Sequence, residues 1–293
     1  DGLLTDIVLF NFRKHSKLLY PFEILINTLL IVFLFKKQKN NFKLIFNVHG
    51  VLNIAPVIAS KILDLKIIWH IHETLQSFKL FYNFGKLILR GSNSEIVYVA
   101  KKTKEVYDIS HGYYLPGCVD PNFWKNDFFG NNNTKKIKTI LFIGNLNPLK
   151  GLDILLDALG DMLKPCKLFI IGSKLDTHKK YYNSILKKIK SVKKTHHVEL
   201  LGWKSQKEVR KYLKFADVFI LPSKSEACPI SLLEAMSMEK ICLVSKVGDI
   251  PIIIKDGFDG FLLERVSKDD IIKKLFEIDR LSCTDIRLIK KRA

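Results

Sequence analysis

The sequence predicts an α/β chain of two doubly wound domains, and three observations carry that prediction. Short apolar runs rich in Ile, Val, Leu and Phe alternate with longer segments of helical spacing almost from end to end. The alternation breaks once, across Pro121 to Lys138, where Asn131-Asn-Asn133 and several lysines form a linker-like stretch. At 293 residues the chain also has the length for two domains of ordinary size. We therefore read 1–125 as a first domain, 126–138 as a linker and 139–293 as a second domain.

In the first domain Asp6-Ile-Val-Leu-Phe10 reads as a strand and Tyr20 to Phe35 as a helix, followed by a basic polar turn, Lys36 to Asn41. The apolar core of that helix, Ile24 to Phe35, falls short of the roughly 20 residues that span a bilayer, so it reads as a buried helix. Strands are expected at Phe42 to His49, Lys66 to Ile71, Glu95 to Val99 and Gly112 to Leu115. Helices are expected at Ala55 to Leu63, Phe78 to Leu89 and Lys101 to Tyr107. In the second domain the strands are Thr139 to Ile143, Lys167 to Ile171, His197 to Leu201, Asp217 to Leu221 and Ile241 to Ser245. The helices between them run Leu152 to Leu163, His178 to Ser191, Gln206 to Phe215 and Ile230 to Met238. Strands separated by helices make parallel, helix-covered sheets.

One stretch, Leu221 to Met236, concentrates the chemistry. The apolar run Asp217-Val-Phe-Ile-Leu221 ends at Pro222 and Ser223, and a helix follows from about Pro229. Glu226 falls in the loop and Glu234 in the helix, eight residues on. A helix N-terminus offers unpaired N–H groups and partial positive charge, which suits a phosphate. In open α/β sheets this end of the strand is where ligands bind. On spacing alone the two acids are equally well read as a solvated loop acid and a surface Glu.

Charge and cysteine content narrow the classes. Lys and Arg exceed Asp and Glu by 48 − 29 = +19, a surplus that attracts phosphates, anionic lipid or nucleic acid. No RNA-recognition aromatic signature, zinc-finger spacing or basic helix with heptads occurs, which speaks against sequence-specific nucleic-acid binding. The five cysteines (Cys118, Cys166, Cys228, Cys242 and Cys283) are scattered, with no Cys-x-x-Cys, so neither a disulfide framework nor a zinc site is indicated and a reducing compartment is. His70 and His72 lie two apart on a strand and so share a face, but lack the carboxylates or cysteines of a metal site.

Pro222-Ser-x-x-Glu226 with Glu234-Ala-Met236 resembles the Glu-x7-Glu signature of the retaining GT-B glycosyltransferases, especially glycosyltransferase family 4. Ala227 stands where that family usually has Gly. The resemblance runs on through Phe142-Ile-Gly-Asn-Leu-Asn-Pro-Leu-Lys-Gly151, Ile170-Ile-Gly172, Leu200-Leu-Gly-Trp203, Val247-Gly248 and Asp256-Gly-Phe-Asp-Gly-Phe261. Ile252 replaces the acid common after Pro251. Leu115-Pro-Gly-Cys-Val-Asp-Pro-Asn-Phe123 is similar to the family's interdomain motif, with Gly117 and Cys118 as substitutions.

The resemblance implies a GT-B fold, two Rossmann-like domains facing across a cleft. It implies a retaining, metal-independent hexosyl transfer from a UDP- or GDP-sugar, with no cofactor, to a saccharide or lipid-linked acceptor in surface polysaccharide assembly. The catalytic candidates are Glu226 beside the donor sugar and His72 facing it. Donor-binding candidates are Gly144, Asn145, Lys150, Gly172, Trp203, Ile230, Ser231 and Glu234, the last on the ribose. Asn145 replaces an Arg that grips the diphosphate, and Lys150 matches the second phosphate-gripping residue; Trp203 is open as base contact or packing. His49 is an acceptor-side candidate, and no residue is assigned to a metal. Family and charge together imply a cytoplasmic setting, peripheral on the inner membrane face and in contact with anionic lipid. The family's opening strand and closing helix have no counterpart, which implies truncation at both ends. A nucleotide-sugar epimerase of GT-B type, or a non-catalytic nucleotide-binding remnant, is the alternative.

Overall fold

A computed structural model describes residues 20–36, 45–51, 53–72, 79–91, 94–107, 112–125 and 137–293. The expected strand at Asp6 to Phe10, the turn after Lys36 and most of the expected linker lie outside these residues. The chain divides into two compact units. One comprises Asp1–Val99 with Thr103–Leu115, the other Ala100–Lys102 with Pro116–Ala293. Residues 116–125 thus group with the second unit, and Trp124 is buried in that unit's core.

The first unit holds α1 (Tyr20–Lys36), β1 (Ile45–His49), α2 (Ala55–Leu63), β2 (Lys66–Ile71), α3 (Lys79–Arg90), β3 (Glu95–Tyr98), the body of α4 (Lys101–Tyr107) and β4 (Tyr113–Tyr114). Its sheet runs β1-β2-β3-β4, all parallel. Alternate residues of β2 and β3 are buried, and Trp69, Ile71, Ile96 and Tyr98 make the core with Val51 and Leu89. The Trp69 indole N–H donates to the Gly50 carbonyl at 2.9 Å, satisfying the polar edge of a fully buried ring.

The expectation of a buried helix over Ile24 to Phe35 is corrected. The helix forms, but among the described residues only the face carrying Thr28 and Ile31 is covered, by Ala55 and Ala59 of α2 and Phe46 of β1. Phe22, Leu25, Ile26, Leu29, Leu30, Phe33 and Leu34 are exposed. An apolar run of helical length marks a helix but not how many of its faces find partners.

The second unit holds β5 (Thr139–Ile143), α5 (Leu152–Asp161), β6 (Lys167–Ile171), α6 (Lys179–Val192), β7 (His197–Gly202), α7 (Gln206–Phe215), β8 (Val218–Leu221), α8 (Ile230–Ser237), β9 (Ile241–Ser245), α9 (Ile250–Ile253), β10 (Phe261–Leu263), α10 (Lys268–Asp279) and α11 (Cys283–Arg292). The strand order is β10-β9-β8-β5-β6-β7, entirely parallel. Every residue of β8, β9 and β10 is buried, as expected of strands covered on both faces. The elements from α9 onward were not anticipated: α9 and β10 are only four and three residues long, while α10 and α11 carry helically spaced apolar residues that the reading passed over. The order reverses between β5 and β8, and a doubly wound sheet opens a crevice at such a point. The loops after these two strands therefore position the site.

Candidate functional site

Glycines bring the β5 and β8 loops into backbone contact. Gly151 has φ of 69°, and a Cβ there would lie 2.0 Å from the Pro222 carbonyl oxygen, so no other residue fits. The Lys224 N–H donates to the Leu149 carbonyl at 2.7 Å, a second tie between the loops. Asn147 caps the short turn Pro148–Lys150, its side-chain oxygen accepting from the Leu149 N–H at 2.9 Å. This turn aims Lys150 at the other loop.

The Lys150 ammonium donates to Glu226 Oε1 at 2.6 Å, and the Ser223 hydroxyl donates to the same oxygen at 2.7 Å. The Glu226 side chain is 8% exposed and that of Lys150 24%, so the pair is partly shielded from water. In that setting an ion pair holds its geometry better than on an open surface. Gly248 supports Glu226 from beneath. Its φ is 57°, and a Cβ would sit 2.3 Å from the Glu226 carbonyl oxygen and 2.5 Å from that of Ala227. Glu226 is therefore fixed from both its backbone and its side chain.

Glu234 differs. It projects from α8 and is 9% exposed, and burial lifts its carboxyl from an ordinary value near 4.5 to about 7. No side-chain hydrogen bond joins it to any described residue. A buried carboxyl without a side-chain hydrogen bond from the described residues would gain donors from a bound hydroxyl pair. At the start of the same helix Pro229 gives no side-chain cap, Ile230 is exposed, and the Ser231 hydroxyl lies 3.5 Å from the Ile143 carbonyl oxygen at the end of β5.

The other donor-side candidates line the same sheet edge. Gly144 donates to Ile171 and Gly172 to Gly202, each at 2.9 Å, so three neighbouring strand ends finish on glycines, with a register shift between β6 and β7. A Cβ on Gly172 would meet the Gly144 carbonyl oxygen at 1.9 Å. Asn145 is exposed beside this edge. Trp203, immediately after Gly202, is 71% exposed, so its indole is not packing the core.

In the first unit, β1 and β2 pair so that His49 stands opposite His70. The rings of His49 and His70 stack at 4.7 Å, those of His49 and His72 at 5.1 Å, and His49 Nδ1 lies 2.8 Å from His72 Nε2. Partial desolvation lowers His70 and His72, with the mutual repulsion of the histidines adding to it. Among the described residues no group of three or more His, Cys, Asp or Glu has the geometry to hold a metal ion.

Sequence reasoning named Lys150 and Glu226 separately and missed that they touch, since they stand 76 residues apart. It also missed Ser223 as a buried partner of Glu226; an Ser three residues before the acid was the available signal. The hydrogen bond between His49 and His72, placed on different strands, was likewise not foreseen.

These features define an α/β protein whose second unit is doubly wound and gathers its polar side chains at the switch point. The chain belongs to the glycosyl transferases group 1 family, which it matches over residues 124–285, more than half its length. It is 39% identical over 79 residues to the UDP-Gal:alpha-D-GlcNAc-diphosphoundecaprenol alpha-1,3-galactosyltransferase of Escherichia coli, covering 27% of this chain and 20% of that protein. It is 24% identical over 235 residues to the lipopolysaccharide 1,2-N-acetylglucosaminetransferase of Salmonella typhimurium, covering 78% and 61%. The chain thus spans less than two thirds of the length of these relatives. Its fold superposes on the crystal structure of HepE from Anabaena in complex with UDP and glucose with a TM-score of 0.74. The identity is 15%, covering 90% of this chain and 75% of that one. The fold is GT-B, as the motifs implied.

Proposed function

We propose that this chain carries out retaining, family-4-type transfer of a hexose from a nucleoside diphosphate sugar to a saccharide or lipid-linked acceptor, in surface polysaccharide or lipopolysaccharide biosynthesis. The observation that carries the reading is the Lys150–Glu226 pair at the switch point, with the donor-starved Glu234 on the adjoining helix. The names of the Escherichia coli and Salmonella relatives support a UDP-sugar donor and a lipid-linked or lipopolysaccharide acceptor.

The site acts by charge and position. As the bond from the sugar to the diphosphate breaks, negative charge grows on the departing group. The Lys150 ammonium and the uncapped N–H groups at the start of α8 offset it. These fixed charges do what a divalent cation does in metal-dependent transferases, so the proposed reaction needs none. Glu226, held through Oε1, is assigned to the sugar, where positive charge develops. Glu234 accepts from the ribose hydroxyls, the exposed Trp203 offers a face to the base, and Gly144, with Gly172 packed against its carbonyl, lets the donor approach the backbone closely. Asn145 contributes one hydrogen bond where the family has a bidentate Arg, which leaves Lys150 as the principal side-chain cation on the diphosphate. His72 is assigned to a sugar hydroxyl and His49 to the acceptor side.

The reading is tested by a thermal-shift panel of nucleotides and nucleotide sugars. At 100 times its dissociation constant a ligand adds about 2.7 kcal/mol of stability. A shift with UDP- or GDP-sugars that Lys150→Ala reduces is expected. No shift with any nucleotide sugar would overturn the proposal.

A further inference from the structure

We infer that α1 is a membrane-docking element, and that its exposed face seats on an anionic lipid surface. This goes beyond the transfer reaction and does not rest on it. The helix presents an unbroken apolar stripe, Phe22, Leu25, Ile26, Leu29, Leu30 and Phe33, at the i, i+3, i+4, i+7 spacing of one helical face. Phe33 is 81% exposed. A soluble surface scatters such residues; it does not line them up along about 17 Å of helix. The opposite face is already occupied by α2 and β1, so the stripe is outward by construction.

Charge selects lipid over other occupants. From Leu18 to Phe35 the only charged residue is Glu23, while Arg13, Lys14 and Lys17 precede this segment and Lys36, Lys37, Lys39 and Lys43 follow it. In the sequence the apolar stripe is bracketed by two basic clusters, a composition that suits the acyl boundary and the anionic headgroups of one leaflet. A protein partner would ask for hydrogen bonds at about one per 100–200 Å², and the stripe carries no side chain able to make one. A second copy of this chain would bring two charges of +19 together. No helix among the described residues is long and apolar enough to cross a membrane, and the packing of α1 on α2 and Phe46 of β1 leaves only its outer face for the lipid.

The test is co-sedimentation of the full chain with phosphatidylglycerol vesicles and with phosphatidylcholine vesicles. It is run on wild type, on Leu29→Asp/Phe33→Asp, and on Lys36→Gln/Lys37→Gln/Lys39→Gln, with sedimentation velocity alongside. Wild type is expected to bind phosphatidylglycerol at least tenfold more tightly than phosphatidylcholine, and less tightly in 1 M salt. The aspartate variant is expected to lose binding at least tenfold, and the glutamine variant severalfold, with unchanged melting temperatures. Absence of vesicle binding by wild type, or equal binding by the aspartate variant, would overturn the inference. So would a wild-type dimer that the aspartate variant dissolves without any effect on vesicles, which would identify a second copy as the occupant.

Discussion

Glu234→Gln should make the ligand-free protein more stable, and increasingly so as pH rises. The wild-type carboxyl is lifted by burial from near 4.5 to about 7. The native state therefore holds its proton more tightly than the unfolded chain does. Stability then falls as pH climbs from about 4.5 through about 7, and the full penalty is present above neutrality. Each pH unit of the rise is worth about 1.4 kcal/mol, so the ionised side chain costs the fold about 3 kcal/mol at pH 8 and under about 1 kcal/mol at pH 5. Glutamine keeps the shape and removes the charge. At roughly 2–4 °C per kcal/mol, the melting-temperature gap between variant and wild type should widen by roughly 5–10 °C between pH 5 and pH 8. A donor whose hydroxyls stabilise the ionised form should also release a proton on binding near pH 7 in the wild type and none in the variant. Thermal melts at the two pH values and calorimetry in buffers of different ionisation enthalpy read both effects. A gap that is the same at pH 5 and pH 8 would refute the reasoning.

Four further outcomes follow from the geometry. Ser223→Ala leaves Glu226 with Lys150 alone at Oε1; loss of a hydrogen bond to a charged group, about 1.5–3 kcal/mol, should lower single-turnover rate more than donor affinity, and an unchanged rate would count against it. Trp203→Ala should leave the melting temperature alone, since the ring is solvent-exposed. It should weaken nucleotide binding by about 1–3 kcal/mol of base stacking, and isothermal titration with UDP and GDP would show otherwise if the indole is idle. Gly172→Ala drives a Cβ into the Gly144 carbonyl oxygen and should cost about 3 kcal/mol in urea unfolding, whereas a midpoint near that of wild type would contradict the tight approach. Transfer should persist in EDTA, and full loss restored by magnesium or manganese would contradict the electrostatic role given to Lys150.

Much of the second unit was legible because its strands are short, mostly apolar runs separated by segments of helical spacing. Gln206–Phe215 begins at a capping box of Ser205 and Glu208 that the structure contains in full. The later elements were harder, since Phe261–Leu263 is too short to show a period. The site was legible as a set of residues and not as a set of contacts. Glu226 and Glu234 share a motif, but only the fold pairs Glu226 with Lys150 and shuts Glu234 away from water. The same limit applies to α1: its apolar content predicted a helix, but not that among the described residues only α2 and Phe46 would cover it, which no local pattern encodes.

The central claim is that Glu226 and Glu234 serve different parts of one donor. It is tested most directly by measuring donor dissociation constant and single-turnover transfer rate for Glu226→Gln and Glu234→Ala. Glu234→Ala should weaken donor binding roughly 10- to 150-fold, the equivalent of about 1.5–3 kcal/mol. Glu226→Gln should lower the rate with donor affinity largely kept. Near-wild-type values for both variants would contradict the account.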